Sequence, residues 1–396
     1  MRVLLVHNQY RSATPSGENR VVHQEGEALA GAGHEVMRFG RSSDEIEHWS
    51  AAKRATVPIR VVWSRESRHD LTLTLRDYRP DVVHVHNTFP LLSASVLYAC
   101  RDAAVPVVAT IHNYRLVCAS GDFFRQGTVC HDCLHRLPVP GVLHGCYRDS
   151  RAASAPLVVA NVVHRKAWRS LVAAFVFISA AQRDLHRGLN LPADRVFVRH
   201  NMVPYSSMPS VSRDPIVAFI GRLDEVKGLY LLMAAWDRYR GEAQEPGLRL
   251  VIAGAGSLER EVTAWASTRP SVELLGHIPH GRALELRSRA RAVVVPSVWE
   301  EPFGLVVIEA MAAGTPPIAP SHGSFTELIT PGVDGVLFRP GDPAALALAI
   351  ADVEARPESY ETYGNRARAT YEERFNPEHS FKHLLEIYDF AIAHPV

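Results

Sequence analysis

Twelve short apolar runs rich in β-branched residues, falling in two sets of six, constrain this chain more than any other feature. The first set covers residues 2–7, 34–39, 81–86, 106–111, 175–179 and 195–199. The second covers 216–221, 248–253, 272–276, 292–297, 317–319 and 335–338. Apolar residues follow one another in these runs without strict alternation, so each predicted strand is covered on both faces. Longer helix-like stretches separate them, as expected for parallel strands joined by crossover helices. The expectation is an α/β chain of two Rossmann-like, doubly wound domains, residues 1–203 and 204–375. Their seam is expected near residues 201–214, where Met202-Val-Pro-Tyr-Ser-Ser-Met-Pro-Ser concentrates Pro and Ser. A final helix over 376–396, after the Phe375-Asn-Pro break, is expected to pack back on the first domain.

The 396 residues are 47% hydrophobic, enough to build two cores, and the net charge of +1 gives no reason to expect a nucleic-acid partner. Residues 2–7 are apolar from the start, with no basic leader or cleavage site, and no apolar stretch approaches ~18 residues. A cytoplasmic protein is therefore expected, with at most peripheral contact at the inner face of a membrane. Its five Cys should be reduced or metal-bound. Only Lys53, Lys166, Lys227 and Lys382 are lysines among 43 basic residues. Where Arg is the default cation, a Lys can be present for its compact charge.

In open α/β sheets, ligands sit beyond the carboxyl ends of the strands. After the run ending at Ile220 comes Gly221-Arg222-Leu-Asp-Glu-Val-Lys227-Gly228, which puts two cations beside a helix start, a favourable place for a diphosphate. Glu309 is the one charged residue in the otherwise apolar stretch 302–313. A buried carboxylate needs a partner, and a ribose diol would supply two hydroxyl donors. Glu301 stands eight residues earlier, in the loop before that predicted helix. Gly254-Ala-Gly256 is a Gly-rich turn after another strand, and Arg222 and Lys227 read equally as surface cations when taken alone.

These residues resemble the E-x7-E signature of family-four retaining glycosyltransferases, which have the two-domain GT-B fold with Rossmann-like domains facing across a cleft. The match runs from Pro296-Ser-Val-Trp-Glu-Glu301-Pro-Phe-Gly through Glu309-Ala-Met-Ala-Ala-Gly-Thr-Pro. The Gly-Arg-x4-Lys-Gly element and the Gly254 turn stand in the family's order. The resemblance implies a nucleotide-diphosphate sugar as donor, UDP being the commonest carrier. It implies that Arg222 and Lys227 neutralise the diphosphate, Glu309 holds the ribose and Glu301 binds the transferred sugar. Backbone N–H groups of Phe303, Gly304 and Leu305 would contact sugar or phosphate, Gly221 and Gly254 would line the phosphate turn, and Ile278 would lie on the base-contacting loop. The first domain would bind the acceptor, a hydroxyl of a glycan, a lipid-linked glycan or a natural product.

The opening segment resembles one branch of that family. In Ser16-Gly17-Glu18-Asn19, Ser16 stands where the family has the first of two adjacent Gly, and Gly17 keeps one flexible point near the donor phosphate. His112, at the start of His112-Asn-Tyr-Arg, follows a strand and would contact the transferred sugar; His84 and His86, within a strand, read as structural. Cys118, Cys130, Cys133 and Cys146 supply four thiols for a structural zinc. Four reduced thiols, or ligation shared with His131, His135 or His144, are the alternatives. No cluster of Asp suggests a catalytic metal, so the chemistry is expected to be metal-independent. Rival readings are a nucleotide-sugar epimerase of the same architecture and a non-catalytic nucleotide-sugar-binding subunit.

Overall fold

A computed structural model describes residues 1–12, 16–204, 213–242 and 247–396. Two compact units emerge. The first joins Met1–Phe123, Cys130–Met202 and Glu378–Val396; the second joins Phe124–Val129 and Val203–Pro377. Much of the expected Pro/Ser-rich seam, residues 205–212, lies outside the described residues.

All twelve sequence-derived strands form, with ends shifted by a few residues. The first unit holds β1 (Arg2–Gln9), β2 (Glu35–Ser42), β3 (Val82–Asn87) and β4 (Val107–Ile111). In chain order a small hairpin assigned to the second unit, β5 (Phe124–Arg125) and β6 (Thr128–Val129), precedes the first unit's β7 (Ala174–Phe177) and β8 (Val196–Val198). The first sheet runs β2-β1-β3-β4-β7-β8, parallel throughout. Every residue of β3, β4 and β7 is buried, as expected for strands covered on both faces, whereas the edge strand β2 is largely open.

The second unit repeats the plan. Strands β9 (Asp214–Ile220), β10 (Arg249–Ala253), β11 (Val272–Gly276), β12 (Ala290–Val294), β13 (Pro317–Pro320) and β14 (Val336–Phe338) order as β11-β10-β9-β12-β13-β14. In each sheet the chain leaves the first strand toward one side and later returns to the other. The switch points lie between β1 and β3, and between β9 and β12. At such points the crossover helices diverge and leave a crevice at the strand ends, which is where a ligand fits.

The last helix, Pro377–Ala393, completes the first unit. Leu384, Ile387, Tyr388 and Ala391 are buried against Val3, Leu5, Val82, Val108 and Val176 of the sheet. Ile387 is 1% exposed, so Ile387→Ala should cost ~2–5 kcal/mol of stability through lost burial and the cavity left behind. Denaturant unfolding followed by circular dichroism checks this, and a change below ~1 kcal/mol would contradict the packing described.

Candidate active site

In the second unit, backbone hydrogen bonds tie three strand ends together. The Gly221 N–H donates to the Ala253 carbonyl (3.0 Å), Leu223 to Ala255 (3.0 Å) and Gly254 to Gly276 (2.8 Å). Gly254 sits at φ +149°, and a Cβ there would collide with the Gly221 carbonyl oxygen, so the turn requires glycine. Gly221 itself is different. A Cβ on it would meet only the Phe219 ring, no closer than 3.6 Å, so its part is to offer the carbonyl on which Gly254 closes.

After β9, Glu225–Lys227 form one 3-10 turn ended by Gly228 at φ +75°, and helix Leu229–Glu242 follows. A Cβ on Gly228 would collide with the Pro296 carbonyl oxygen, so the loop after β12 lies directly on this turn. The Val298 N–H, donating to the Val226 carbonyl (3.0 Å), fixes the contact. The result is an ion pair: Lys227 Nζ lies 2.7 Å from Glu301 Oε2. That oxygen also accepts Trp299 Nε1–H (2.9 Å) and the Ser297 hydroxyl (3.2 Å). Burial alone would raise the Glu301 pKa, but the Lys227 charge and these bonds outweigh it and hold the carboxyl below its usual range. Arg222 Nε lies 3.2 Å from Asp224 Oδ2, at a more open position. Both expected diphosphate cations thus have acidic partners, Asp224 two residues from Arg222 and Glu301 far along the chain from Lys227.

Glu309 lies on helix Leu305–Ala312, opened by Gly304 at φ +98°, and is 4% exposed. Its carboxylate accepts from Nη2 of Arg287, which is equally buried on helix His280–Arg289. The partner that a buried carboxylate needs is thus supplied within the chain. It stands 22 residues away on a different helix, beyond the reach of a local sequence pattern. Phe303 is buried, Leu305 begins the helix, and Ile278 is half-buried just after β11.

In the first unit, Gly17 begins helix Gly17–Gly31, and Ser16 caps it by accepting the Asn19 N–H (3.3 Å). A serine in place of glycine therefore still satisfies one of the helix's orphan N–H groups. Glu18, in the first turn, accepts the Tyr10 hydroxyl (3.0 Å) and Asn113 Nδ2–H (3.4 Å), and its other oxygen lies 3.9 Å from His7 Nδ1. Burial pushes the Glu18 carboxyl up to about 7, against the lowering effects of Tyr10, Asn113 and Arg115.

His112 directly follows β4. Its Nε2 is 3.0 Å from His86 Nδ1, with the rings stacked at 5.3 Å. His86 Nε2 faces Glu25 Oε2 at 3.6 Å, while Glu25 Oε1 accepts both terminal nitrogens of the Arg199 guanidinium. Burial raises the Glu25 pKa despite Arg199, and neither His86 Nε2 nor Glu25 Oε2 has a hydrogen-bond partner, whereas one of His86 Nδ1 and His112 Nε2 donates to the other. Burial, followed by His7 and Arg199, pulls the His112 pKa down to about 3, so its ring is neutral. His86, read from sequence as structural, is thus the direct partner of His112, and Glu25 and Arg199 behind it went unrecognised. His84 bonds Tyr388 (2.8 Å) and Thr110 (2.7 Å). Glu25, His84 and His86 bring three ligand atoms within 4.8 Å of one another. With Arg199 on Glu25 and both His84 nitrogens bonded, the group forms a buried polar network rather than a cation centre.

Cys118, Cys130 and Cys146 lie close enough to bear on Cys133. Burial first, then Cys118, Cys146 and Cys130, pushes the Cys133 thiol up to about 11. Among the described residues no three of the four sulfurs lie within 4.8 Å of one another, so they are gathered but not closed into a cage.

The geometry can be set beside known proteins. Residues 207–370 match the family described as Glycosyl transferases group 1, and residues 15–117 match Glycosyltransferase Family 4. The chain is 29% identical to a glycogen synthase of Mycobacterium tuberculosis, over 93% of this chain and 89% of that protein. It is 25% identical to the O-antigen chain mannosyltransferase C of Escherichia coli, over 98% of both chains. Among solved structures, HepE of Anabaena in complex with UDP superposes with a TM-score of 0.68 at 18% identity, covering 98% of this chain and all of that one. The sucrose-phosphate synthase of Thermosynechococcus elongatus gives 0.70 at 21% identity, covering 99% of each.

The raised Glu18 pKa has a consequence for stability. Because the folded value exceeds the unfolded one, the contribution of Glu18 is full below about 4.5 and is lost as pH rises through about 7. Melting temperature measured from pH 4 to 8 should carry this decline in the parent and lose it in Glu18→Gln. Parallel profiles for the two proteins would refute the assignment.

Proposed function

We propose a specific reaction for this chain, which belongs to the family-four retaining glycosyltransferases of GT-B fold and takes its sugar from a nucleotide-sugar donor. The donor is a UDP-hexose, and the acceptor is a hydroxyl of a glycan, a lipid-linked glycan or a natural product. The observation that carries the donor assignment is the Lys227–Glu301 pair at 2.7 Å, held where the chain leaves β9 and β12 on either side of the switch point.

Departure of the nucleoside diphosphate leaves negative charge on its terminal phosphate. Lys227 and Arg222 meet that charge, in the place that a divalent ion takes in other transferases. Lys227 exchanges part of its contact with Glu301 for the phosphate. This frees Glu301 to accept hydroxyls of the transferred sugar, with N–H groups at Phe303, Gly304 and Leu305 nearby in sequence. Glu309 holds the ribose hydroxyls, with Arg287 orienting its carboxylate. The turn through Gly221 and Gly254 admits the phosphates and Ile278 lies against the base, and the family resemblance gives Gly17 a phosphate role. His112 contacts a hydroxyl of the sugar. The acceptor oxygen attacks the anomeric carbon on the face from which the phosphate leaves, and its proton passes to the departing phosphate oxygen. One C–O bond forms as another breaks, and the anomeric configuration is retained.

UDP as carrier is supported by the HepE complex and by the family's commonest donor. Lipid-linked and glycan acceptors are supported by the names of relatives, including a phosphatidyl-myo-inositol mannosyltransferase of Mycobacterium leprae, 26% identical over 86% of this chain and 84% of that protein. Cys118, Cys130, Cys133 and Cys146 are assigned to a structural zinc, since four thiolates are the donor set such an ion takes. Elemental analysis should find about one zinc per chain, lost in Cys130→Ser. A metal-free protein with unchanged melting would end that assignment.

Lys227→Ala should lower turnover by roughly 100-fold or more and abolish stabilisation by UDP in a thermal-shift assay. Near-normal turnover, or an intact UDP shift, would remove Lys227 from the donor site. Stabilisation of the parent by GDP or ADP alone would replace UDP as the carrier.

A further inference from the structure

We propose that the first unit carries a docking face for an anionic lipid bilayer, built on helices Val57–Val62, Pro140–Leu143 and Arg151–Val163. Their inner sides pack together: Val61, Val142, Leu157 and Val158 meet around Ala119, and His164 Nε2 bonds the Val62 carbonyl (2.7 Å). With the inner sides satisfied, the outer sides should be polar. They are not. Ile59 is 69% exposed, Leu143 and Val163 59% each, Val139 47%, Val159 45% and Val162 40%. A single exposed aliphatic residue is ordinary, but five drawn from one packed trio of helices, with Val139 at the cap of one of them, mark a surface that something covers.

Charge identifies the partner. The whole chain carries a net charge of +1, yet residues 51–63 and 136–169 hold nine Lys and Arg against one acid, Asp149. Lys53, Arg54, Arg151, Lys166 and Arg169 are among the exposed cations. Aliphatic side chains flanked by cations suit the boundary between lipid phosphates and acyl chains, where apolar groups enter and cations meet the headgroups. The apolar centre of a protein interface instead tends to exclude lysine. Among the described residues no helix is long and apolar enough to cross a membrane, so the contact lies along the surface.

One bond links this face to the loop after β4. Asn161, on helix Arg151–Val163, donates to the Arg115 carbonyl (2.8 Å), three residues beyond His112. Docking would therefore hold the His112 loop near the lipid surface, where a lipid-linked acceptor is presented. That placement rests on the role proposed for His112; the docking face does not.

The test is cosedimentation of the full chain with vesicles of phosphatidylcholine alone or mixed with phosphatidylglycerol. Binding is expected to the mixed vesicles only, falling as salt rises. The triple charge reversal Arg151→Glu, Lys166→Glu and Arg169→Glu should weaken it roughly 100-fold or more. Leu143→Asp with Val159→Asp and Val163→Asp should abolish it. All six positions are at the surface, so melting temperature and UDP-sugar turnover with a soluble acceptor should stay at parent values. Turnover and the UDP shift report separately on the donor assignment. Absence of binding to mixed vesicles at low salt would overturn the proposal, as would equal binding by the apolar triple variant. So would a dimer in sedimentation analysis that the apolar variant dissolves, because a second copy would then cover the face.

Discussion

The second unit depends on a steric contact in which no side chain of Gly228 takes part, because it has none. The chain at Gly228 presses against the Pro296 carbonyl, and only the absence of a Cβ allows it. From this approach follow the Val298–Val226 bond, the placement of Lys227 on Glu301 and the convergence of Trp299 and Ser297 on one carboxylate oxygen. Gly254 against the Gly221 carbonyl does the same for the neighbouring strand ends. The charged groups are therefore set by backbone packing before any ligand arrives. Such preorganisation lets an electrostatic site act without reorienting its dipoles during reaction.

Both units also place a buried arginine on a buried glutamate, Arg199 on Glu25 in the first and Arg287 on Glu309 in the second. Removing one partner of such a pair strands the other charge in the interior, a loss of about 3–5 kcal/mol, so each pair holds its surroundings to one arrangement. In the first unit the pair lies beside His86, whose Nδ1 meets His112 Nε2 at 3.0 Å. In the second it ties the Glu309 helix to the helix that carries Arg287.

The parallel sheets were legible because fully covered strands leave continuous apolar runs, as in β3 and β4. The hairpin of β5 and β6 was not, since strands of two residues carry no periodicity. The local motifs around Lys227 and Glu301 were readable from spacing, but their mutual ion pair was not: it closes over 74 residues and depends on the Gly228 turn. Distance in sequence hid the rest of the polar network as well. Arg199 lies 174 residues from Glu25, and Tyr388 lies 304 from His84. Ser16 was read as a departure from a glycine pair, while its capping bond depends only on a hydroxyl at the head of a helix.

The helix Pro377–Ala393 supplies part of the wall on which β1, β3, β4 and β7 rest, although it is made long after them. During synthesis the first unit's strands leave the ribosome with that face of their sheet bare, whereas nearly all of the second unit is available to fold before the last helix emerges. The part of the chain made first is thus completed last. A nascent first unit must shield apolar surface for the time taken to translate about 180 further residues, a period in which it depends on chaperones or on transient collapse.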